Sequence, residues 1–276
     1  MTAEERKKLE WHCHEMRKDC LSMAKAAGSE GFHFGASLSI IELVAVLYLK
    51  VMHIGEEMFQ QEERDRFILS KGHGVPAIYA VMERMGILTK EDLLSFKGEK
   101  TVLYGHPCKN TELGIEFSAG SLGQGLSYGV GKALALKWKK NKESKVYVVL
   151  GDGECDEGAV WEAALSAVKY NLDNLVVIVD RNHLQYDGNT EEVMPIELLE
   201  LKWKAFGWDV SGIDGHNVEE IYVSLEKQHS RPRAIIADTV KGKGISFMEN
   251  AAEWHYGIMT REQEEKAWKE VFESGD

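Results

Sequence analysis

The sequence predicts an α/β protein built on one doubly wound, mostly parallel sheet with helices on both faces. Three observations carry this. Residues 145–150, 175–179 and 233–237 are continuous apolar, β-branched runs, the pattern of strands buried on both faces. Helical patterns at 156–171 and 217–229 lie between these runs, the alternation of βαβ units. The chain also holds 26 glycines against 4 prolines in 276 residues. That balance suits turns that approach a ligand closely, not a proline-rich linker.

The remaining elements follow along the chain. Residues 4–27, rich in Glu, Lys and Arg, read as a helix ending near Gly28, and 37–52 as a second, more buried helix. Arg66-Phe67-Ile68-Leu69-Ser70, closed by Gly72 and Gly74, reads as a short strand. Helical patterns follow at 75–86 and 89–96, and 98–120 is a Gly-rich polar loop. From Gly120 to Lys140 a loop runs into a long buried helix with apolar positions at Leu134, Leu136 and Trp138. Residues 260–274 form a last helix, for which Thr260 and Gln263 make a capping box. No linker, repeat or low-complexity tract interrupts the chain, so 1–276 is expected to form one domain.

Charge and composition exclude several classes. Lys and Arg total 33 against 45 Asp and Glu, a net charge of −12, which argues against a nucleic-acid partner. The longest apolar run, from Ile40 to Leu49, is broken by Glu42 and falls short of the ~18 residues of a membrane span. The N-terminus lacks a signal-peptide core. Cys13, Cys20, Cys108 and Cys155 form no C-x-x-C pair and read as reduced thiols of a cytoplasmic protein.

The chemistry is expected at the carboxyl ends of the strands, where parallel sheets bind ligands. Gly151-Asp152-Gly153 leaves one strand, and Asp180-Arg181-Asn182-His183-Leu184 leaves the next. One helix and one strand separate them, so adjacent parallel strands would bring Asp152 and Asn182 together. A carboxylate, an amide oxygen and a backbone carbonyl are hard ligands that suit Mg²⁺ beside a diphosphate. Taken alone, Gly-Asp-Gly is also an ordinary strand-exit turn; Asn182 at the matching strand end favours the ligand site. No dinucleotide fingerprint or P-loop competes. Trp11-His12-Cys13-His14 looks metal-like, but positions i and i+2 do not share a helix face, so it reads as structural. The basic run Lys137, Lys139, Lys140 and Lys142 reads as a solvated helix end.

These residues resemble the thiamine diphosphate and Mg²⁺ motif, and the chain is similar to the N-terminal part of transketolase over about residues 17–258. Ser70-Lys71-Gly72-His73-Gly74, Gly105-His106-Pro107, Gly120-Ser121-Leu122-Gly123-Gln124-Gly125 and Lys241-Gly242-Lys243-Gly244 match that family's signatures in order. The resemblance implies that Asp152, Asn182 and the carbonyl of Leu184 hold Mg²⁺. It implies that Lys71, His73, Gly153 and Lys241 contact the cofactor's phosphate end, and that Gly120, Ser121 and Leu122 line its rings. Glu157 matches a glutamate at the family's subunit interface. His33, His73, His106 and His255 match its catalytic pocket, where imidazoles move protons on sugar hydroxyls near neutral pH.

One departure stands out. Phe32 and Phe34 flank His33 where the family has small residues; they either pack in the core or narrow the acceptor channel. The chain holds no counterpart of the family's pyrimidine-binding domain. The resemblance therefore implies the N-terminal subunit of a split transketolase, working in an α2β2 heterotetramer with a C-terminal partner subunit. Phe117, Leu122, Leu126 and Tyr128 are the expected partner surface. Part of another thiamine diphosphate enzyme (a 2-oxo acid dehydrogenase component or a deoxyxylulose phosphate synthase) and a non-catalytic interaction protein are the alternatives. The sugar pair stays open between ordinary pentose phosphates and a modified sugar such as apulose phosphate or a sulfo-sugar.

Overall fold

The apolar runs form the middle of a five-stranded, all-parallel sheet in the order β1-β2-β3-β5-β4. The structure, a computed structural model, describes residues 1–55, 59, 61–141 and 143–273. The strands are β1 (Arg66–Leu69), β2 (Val146–Gly151), β3 (Leu175–Arg181), β4 (Asp209–Asp214) and β5 (Arg233–Asp238). The α-helices are α1 (Ala3–Ala27), α2 (Phe34–Leu38), α3 (Ile41–Val46), α4 (Val75–Arg84), α5 (Lys90–Leu94), α6 (Gly125–Trp138), α7 (Gly158–Lys169), α8 (Thr190–Val193), α9 (Leu199–Ala205), α10 (Val218–Glu226) and α11 (Arg261–Glu273).

The strands read as unbroken apolar runs because both faces of the sheet are covered. Successive side chains point to opposite faces, and each set enters its own core. Phe67, Leu69, Tyr147, Val149, Val176, Ile178 and Ile235 pack with residues of α1, α3, α4, α10 and α11. Ile68, Val146, Val148, Leu150, Leu175, Val177, Val179 and Ile236 pack with α6, α7 and α9. The last helix carries the expected capping box: Gln263 N donates to Thr260 Oγ1 at 3.3 Å and Thr260 N to Gln263 Oε1 at 2.9 Å.

Two expectations change. The helix read at 37–52 starts instead at Phe34, breaks at Ser39–Ile40, and resumes as α3 before a single π turn at Leu47–Val51. Ser39 explains the break: its hydroxyl donates to Ala36 O at 3.3 Å and to Asp180 Oδ2 at 2.8 Å, competing with the helix ladder. Strand β4 has no apolar run to announce it. It is a half-exposed edge strand, Asp209-Val-Ser-Gly-Ile-Asp214, ordered by its pairing with β5. No helix among the described residues is long and apolar enough to cross a membrane.

Candidate active site

The register of β2 and β3 sets Gly151 opposite Asp180, so the two loops that leave these strands emerge side by side. Asp152 N donates to Asp180 O at 3.2 Å, closing the pair of strand ends. The Asp152 carboxylate accepts from Gly153 N at 2.8 Å and His183 N at 2.6 Å, and it forms no ion pair within 4 Å among the described residues. Asn182 Oδ1 accepts from Leu184 N at 3.2 Å, and Leu184 O accepts from Lys241 Nζ at 2.7 Å. Three oxygen donors of the type expected for Mg²⁺ thus stand at adjoining strand ends.

Beneath them lies a buried charge layer. Asp180 is fully buried and accepts from Lys71 Nζ, from Thr239 Oγ1, from Ser39 Oγ at 2.8 Å and from Asn182 Nδ2 at 2.9 Å. Burial pushes the pKa of the Asp180 carboxyl up, but the Lys71 charge and these donors bring it below its usual value. Asp152 goes the other way. Burial, with the Asp180 charge beside it, pushes it up to about 6. Glu154 is likewise pushed up by burial, although Ser70 Oγ, Gly123 N and Gly151 N all donate to it. A Cβ on Gly153 would sit 2.6 Å from Gln185 Cγ, so a larger residue there would displace the Gln185 side chain from the cavity wall.

The four histidines converge although up to 222 residues separate them along the chain. The His33 ring lies 5.7 Å from His73, 5.2 Å from His106 and 5.9 Å from His255, and His73 stacks on His255 at 5.0 Å. Burial lowers all four, so none is charged at neutral pH. His33 falls to about 3, helped by His106 and His255, and His255 to about 4, helped by Lys241 and Lys71. His73 lies well below its ordinary value and His106 below it. Lys241 bridges the two halves of the site: its Nζ reaches Leu184 O and, at 3.1 Å, His255 Nδ1. Burial, with Lys71 nearby, brings Lys241 down to about 8.

A cavity of about 270 Å³ joins the oxygen donors to the imidazoles. Its walls contain His33, Lys71, His73, His106, Gly120, Leu122, Asp152, Gly153, Asn182, Leu184, Lys241 and His255. Two expected residues stand elsewhere. Ser121 is exposed outside the walls, and Glu157 is exposed at the start of α7, next to Gly123. Phe32 and Phe34 do not narrow the channel. Each is 1% exposed, and their rings pack on each other at 4.9 Å, on Phe96 and on Trp254. Leu126 is fully buried in the core beneath α6 and cannot belong to a partner surface. The sequence reading missed Glu154, Gln185 and Tyr186 in the walls and Ser39, Asp180 and Thr239 behind them. The one available signal was Asp180, a carboxylate ending an otherwise apolar strand.

Other features fall outside this chemistry. Trp11 and His12 meet edge to face within α1 and Cys13 is buried there. No group of three His, Cys, Asp or Glu side chains among the described residues is placed to hold a metal. Lys137 pairs with Asp173 and Lys139 with Glu62 at the end of α6, while Lys142 lies outside the described residues. A larger cavity, about 1000 Å³, lies beside β4 and includes Arg181, His216, Asp238 and Lys243, but none of the expected catalytic or cofactor residues.

Residues 14–273 match the family described as transketolase, thiamine diphosphate binding domain. The chain belongs to the transketolase family, whose reaction is ketol transfer with thiamine diphosphate. It is 43% identical over 244 residues to one of the subunits of apulose-4-phosphate transketolase from Phocaeicola vulgatus, covering 87% of this chain and 86% of that one. It is 42% identical over 246 residues to a 6-deoxy-6-sulfo-D-fructose transketolase subunit of Clostridium sp., covering 88% and 89%. Human transketolase is 35% identical over 94% of this chain, but the match spans only 41% of the human protein. The Campylobacter jejuni transketolase structure superposes with a TM-score of 0.88 at 30% identity, over 96% of this chain and 42% of that one. In extent this chain therefore corresponds to the N-terminal subunit of a split transketolase.

Proposed function

We propose that the cavity anchors the diphosphate end of thiamine diphosphate through Mg²⁺, and that its imidazoles serve ketol transfer between a ketose donor and an aldose acceptor. Asp152, Asn182 and the Leu184 carbonyl hold the metal. Gly153, Lys71, His73 and Lys241 face the phosphates. Gly120 and Leu122 lie along the cofactor's rings, with Ser121 at the rim outside the walls, and Glu157 lies at the subunit interface. The fit rests on the donor chemistry: three hard oxygens, one a buried carboxylate without an ion-pair partner among the described residues, beside two lysines. Bound thiamine diphosphate supplies the nucleophilic carbon and the electron sink of the reaction.

His33, His73, His106 and His255 are neutral at pH 7, so each ring offers one donor and one acceptor nitrogen. Neutral imidazoles of lowered basicity take a proton from a sugar hydroxyl and return it, and their N–H groups stabilise developing negative charge on oxygen. The single observation that carries the reading is this convergence of four imidazoles above the Asp152–Asn182–Leu184 oxygen set.

The partner in this reading is a C-terminal, pyrimidine-binding subunit, with two copies of each chain in an α2β2 assembly. The names of the relatives, each one subunit of a larger enzyme, support a partner, and Phe117, Leu122 and Tyr128 remain as its contact candidates. A sugar phosphate is the default substrate, and the relatives named for apulose 4-phosphate or a sulfo-sugar support a modified one. Residues 1–276 act as one domain in the cytoplasm, supported by two cores that share one sheet and by four unpaired cysteines. The test is a ketol-transfer assay of this chain, its C-terminal partner and their mixture across a panel of ketoses and aldehydes. Turnover is expected in the mixture alone, and robust turnover by this chain without a partner overturns the reading.

A further inference from the structure

The loop that carries Lys241 is tied down from behind by a largely buried relay, outside the cofactor cavity, whose His216 lines the larger cavity beside β4. Val240 N donates to His216 Nε2 at 2.8 Å, which fixes the proton on Nδ1. That nitrogen donates to Glu42 Oε2 at 2.9 Å, and Glu42 Oε1 is bound by Arg17. Arg17 Nε in turn donates to Lys243 O at 3.2 Å. The relay therefore grips the loop at Val240 and Lys243, on both sides of Lys241. Glu42 and Arg17 are nearly buried, on α3 and α1. Burial raises the Glu42 carboxyl, but the Arg17 charge and the His216 hydrogen bond bring it down to about 2, so it stays an acceptor. Between the grips Gly242 has φ +79°, and a Cβ there would meet Met248 O at 2.3 Å. The loop has one tight path, and the relay holds it there.

We propose that His216 is a positioning residue for the cofactor site: by accepting the Val240 N–H it holds Lys241 against Leu184, Gln185 and His255. This rests on the reading that Lys241 faces the cofactor's diphosphate. Lys241 Nζ reaches three partners across the cavity, Leu184 O at 2.7 Å, Gln185 O at 3.2 Å and His255 Nδ1 at 3.1 Å. Slack in its backbone therefore loosens a phosphate contact, a metal-ligand carbonyl and a catalytic imidazole together. Partners that orient a ligating group from behind are typically worth 10–100-fold in affinity.

Two conservative substitutions separate positioning from a merely structural ion pair. His216→Gln places an amide oxygen near the Nε2 position and keeps an acceptor for Val240 N–H. His216→Asn places its amide near Nδ1 and keeps the donor to Glu42, but leaves Val240 without an acceptor. The readout is thiamine diphosphate affinity by calorimetry on the assembled enzyme with Mg²⁺, alongside the thermal midpoint and kcat at saturating cofactor. About tenfold weaker affinity is expected for His216→Asn and less than threefold for His216→Gln, with kcat largely restored by saturation in both. Equal affinities, or the reverse order, overturn the proposal, because an ion pair to Glu42 alone favours Asn. Lys241→Met is the control for the underlying reading. If it leaves affinity unchanged, the diphosphate assignment fails; if it weakens affinity while His216→Asn does not, only the positioning role fails.

Discussion

Lys71→Met removes the ion-pair partner of a fully buried carboxylate. Asp180 is fully buried and Lys71 is 1% exposed. After the substitution Asp180 keeps three neutral donors, Ser39 Oγ, Thr239 Oγ1 and Asn182 Nδ2. Breaking a buried pair by removing one partner costs about 3–5 kcal/mol. A second route gives a similar figure. The orphaned group can escape by taking up a proton, and at pH 7 that means protonating a carboxyl of ordinary pKa about three units too high, or ~4 kcal/mol. For a chain of this size each kcal/mol moves the thermal midpoint by about 2–4 °C, so a fall on the order of 10 °C is expected. The double variant Lys71→Met/Asp180→Asn removes both charges and should recover most of the loss, a coupling that a double-mutant cycle measures. Differential scanning calorimetry of the four proteins decides it. A shift under about 2 °C for Lys71→Met, or a double variant as unstable as the sum of the singles, refutes the view of Asp180 as a buried anion held by Lys71.

Three further outcomes follow from the same geometry. His33→Ala and His106→Ala should fold with thermal midpoints near that of the parent and bind cofactor normally, yet lose roughly 10²–10⁴ in turnover, as expected for proton-transfer groups; steady-state kinetics of the assembled enzyme checks this. His33 and His255 are neutral in the folded chain, with pKa values lowered to about 3 and about 4, while the unfolded chain takes up their protons below about 6.5. Their stabilising effect is thus complete above that pH and lost as pH falls toward 4. Denaturant melts at pH 7 and 5 should show a deficit of roughly 1–2 kcal/mol for the pair, discounted for their partial solvent contact, that is absent from the His33→Ala/His255→Ala variant. Phe34→Ala should destabilise by about 3–5 kcal/mol, as a buried aromatic does, and leave the acceptor profile over a panel of aldehydes unchanged; a broadened profile would place the ring at the channel after all.

How much could be read from the sequence depended on how locally each feature is encoded. Strands β2, β3 and β5 announce themselves because burial on both faces demands unbroken apolar runs such as Val146–Leu150. Strand β4 carries no such run because it is a half-exposed edge, and its order comes from β5 across the sheet. The residues exposed to the cavity, such as Asp152, Asn182 and the four histidines, sit in loops whose composition is visible along the chain. The layer behind them is not visible in that way. Asp180 takes its meaning from Lys71, Ser39 and Thr239, which come from three separate segments and meet only in the fold. The same is true of Arg17, Glu42 and His216. The two phenylalanines beside His33 show the opposite limit. Their neighbour in sequence lines the cavity, but whether Phe32 and Phe34 join it depends on Phe96 and Trp254, which lie far along the chain.

The central claim is that Asp152 and Asn182 anchor a metal-bound diphosphate at the paired ends of β2 and β3. Calorimetric titration of thiamine diphosphate into the assembled enzyme tests it most directly, comparing the parent with Asp152→Ala in the presence and absence of Mg²⁺. Losing a charged ligand should weaken binding at least tenfold, about 1.4 kcal/mol or more, and the variant should no longer respond to Mg²⁺ as the parent does. Unchanged affinity in Asp152→Ala, with the Mg²⁺ dependence intact, would contradict the account.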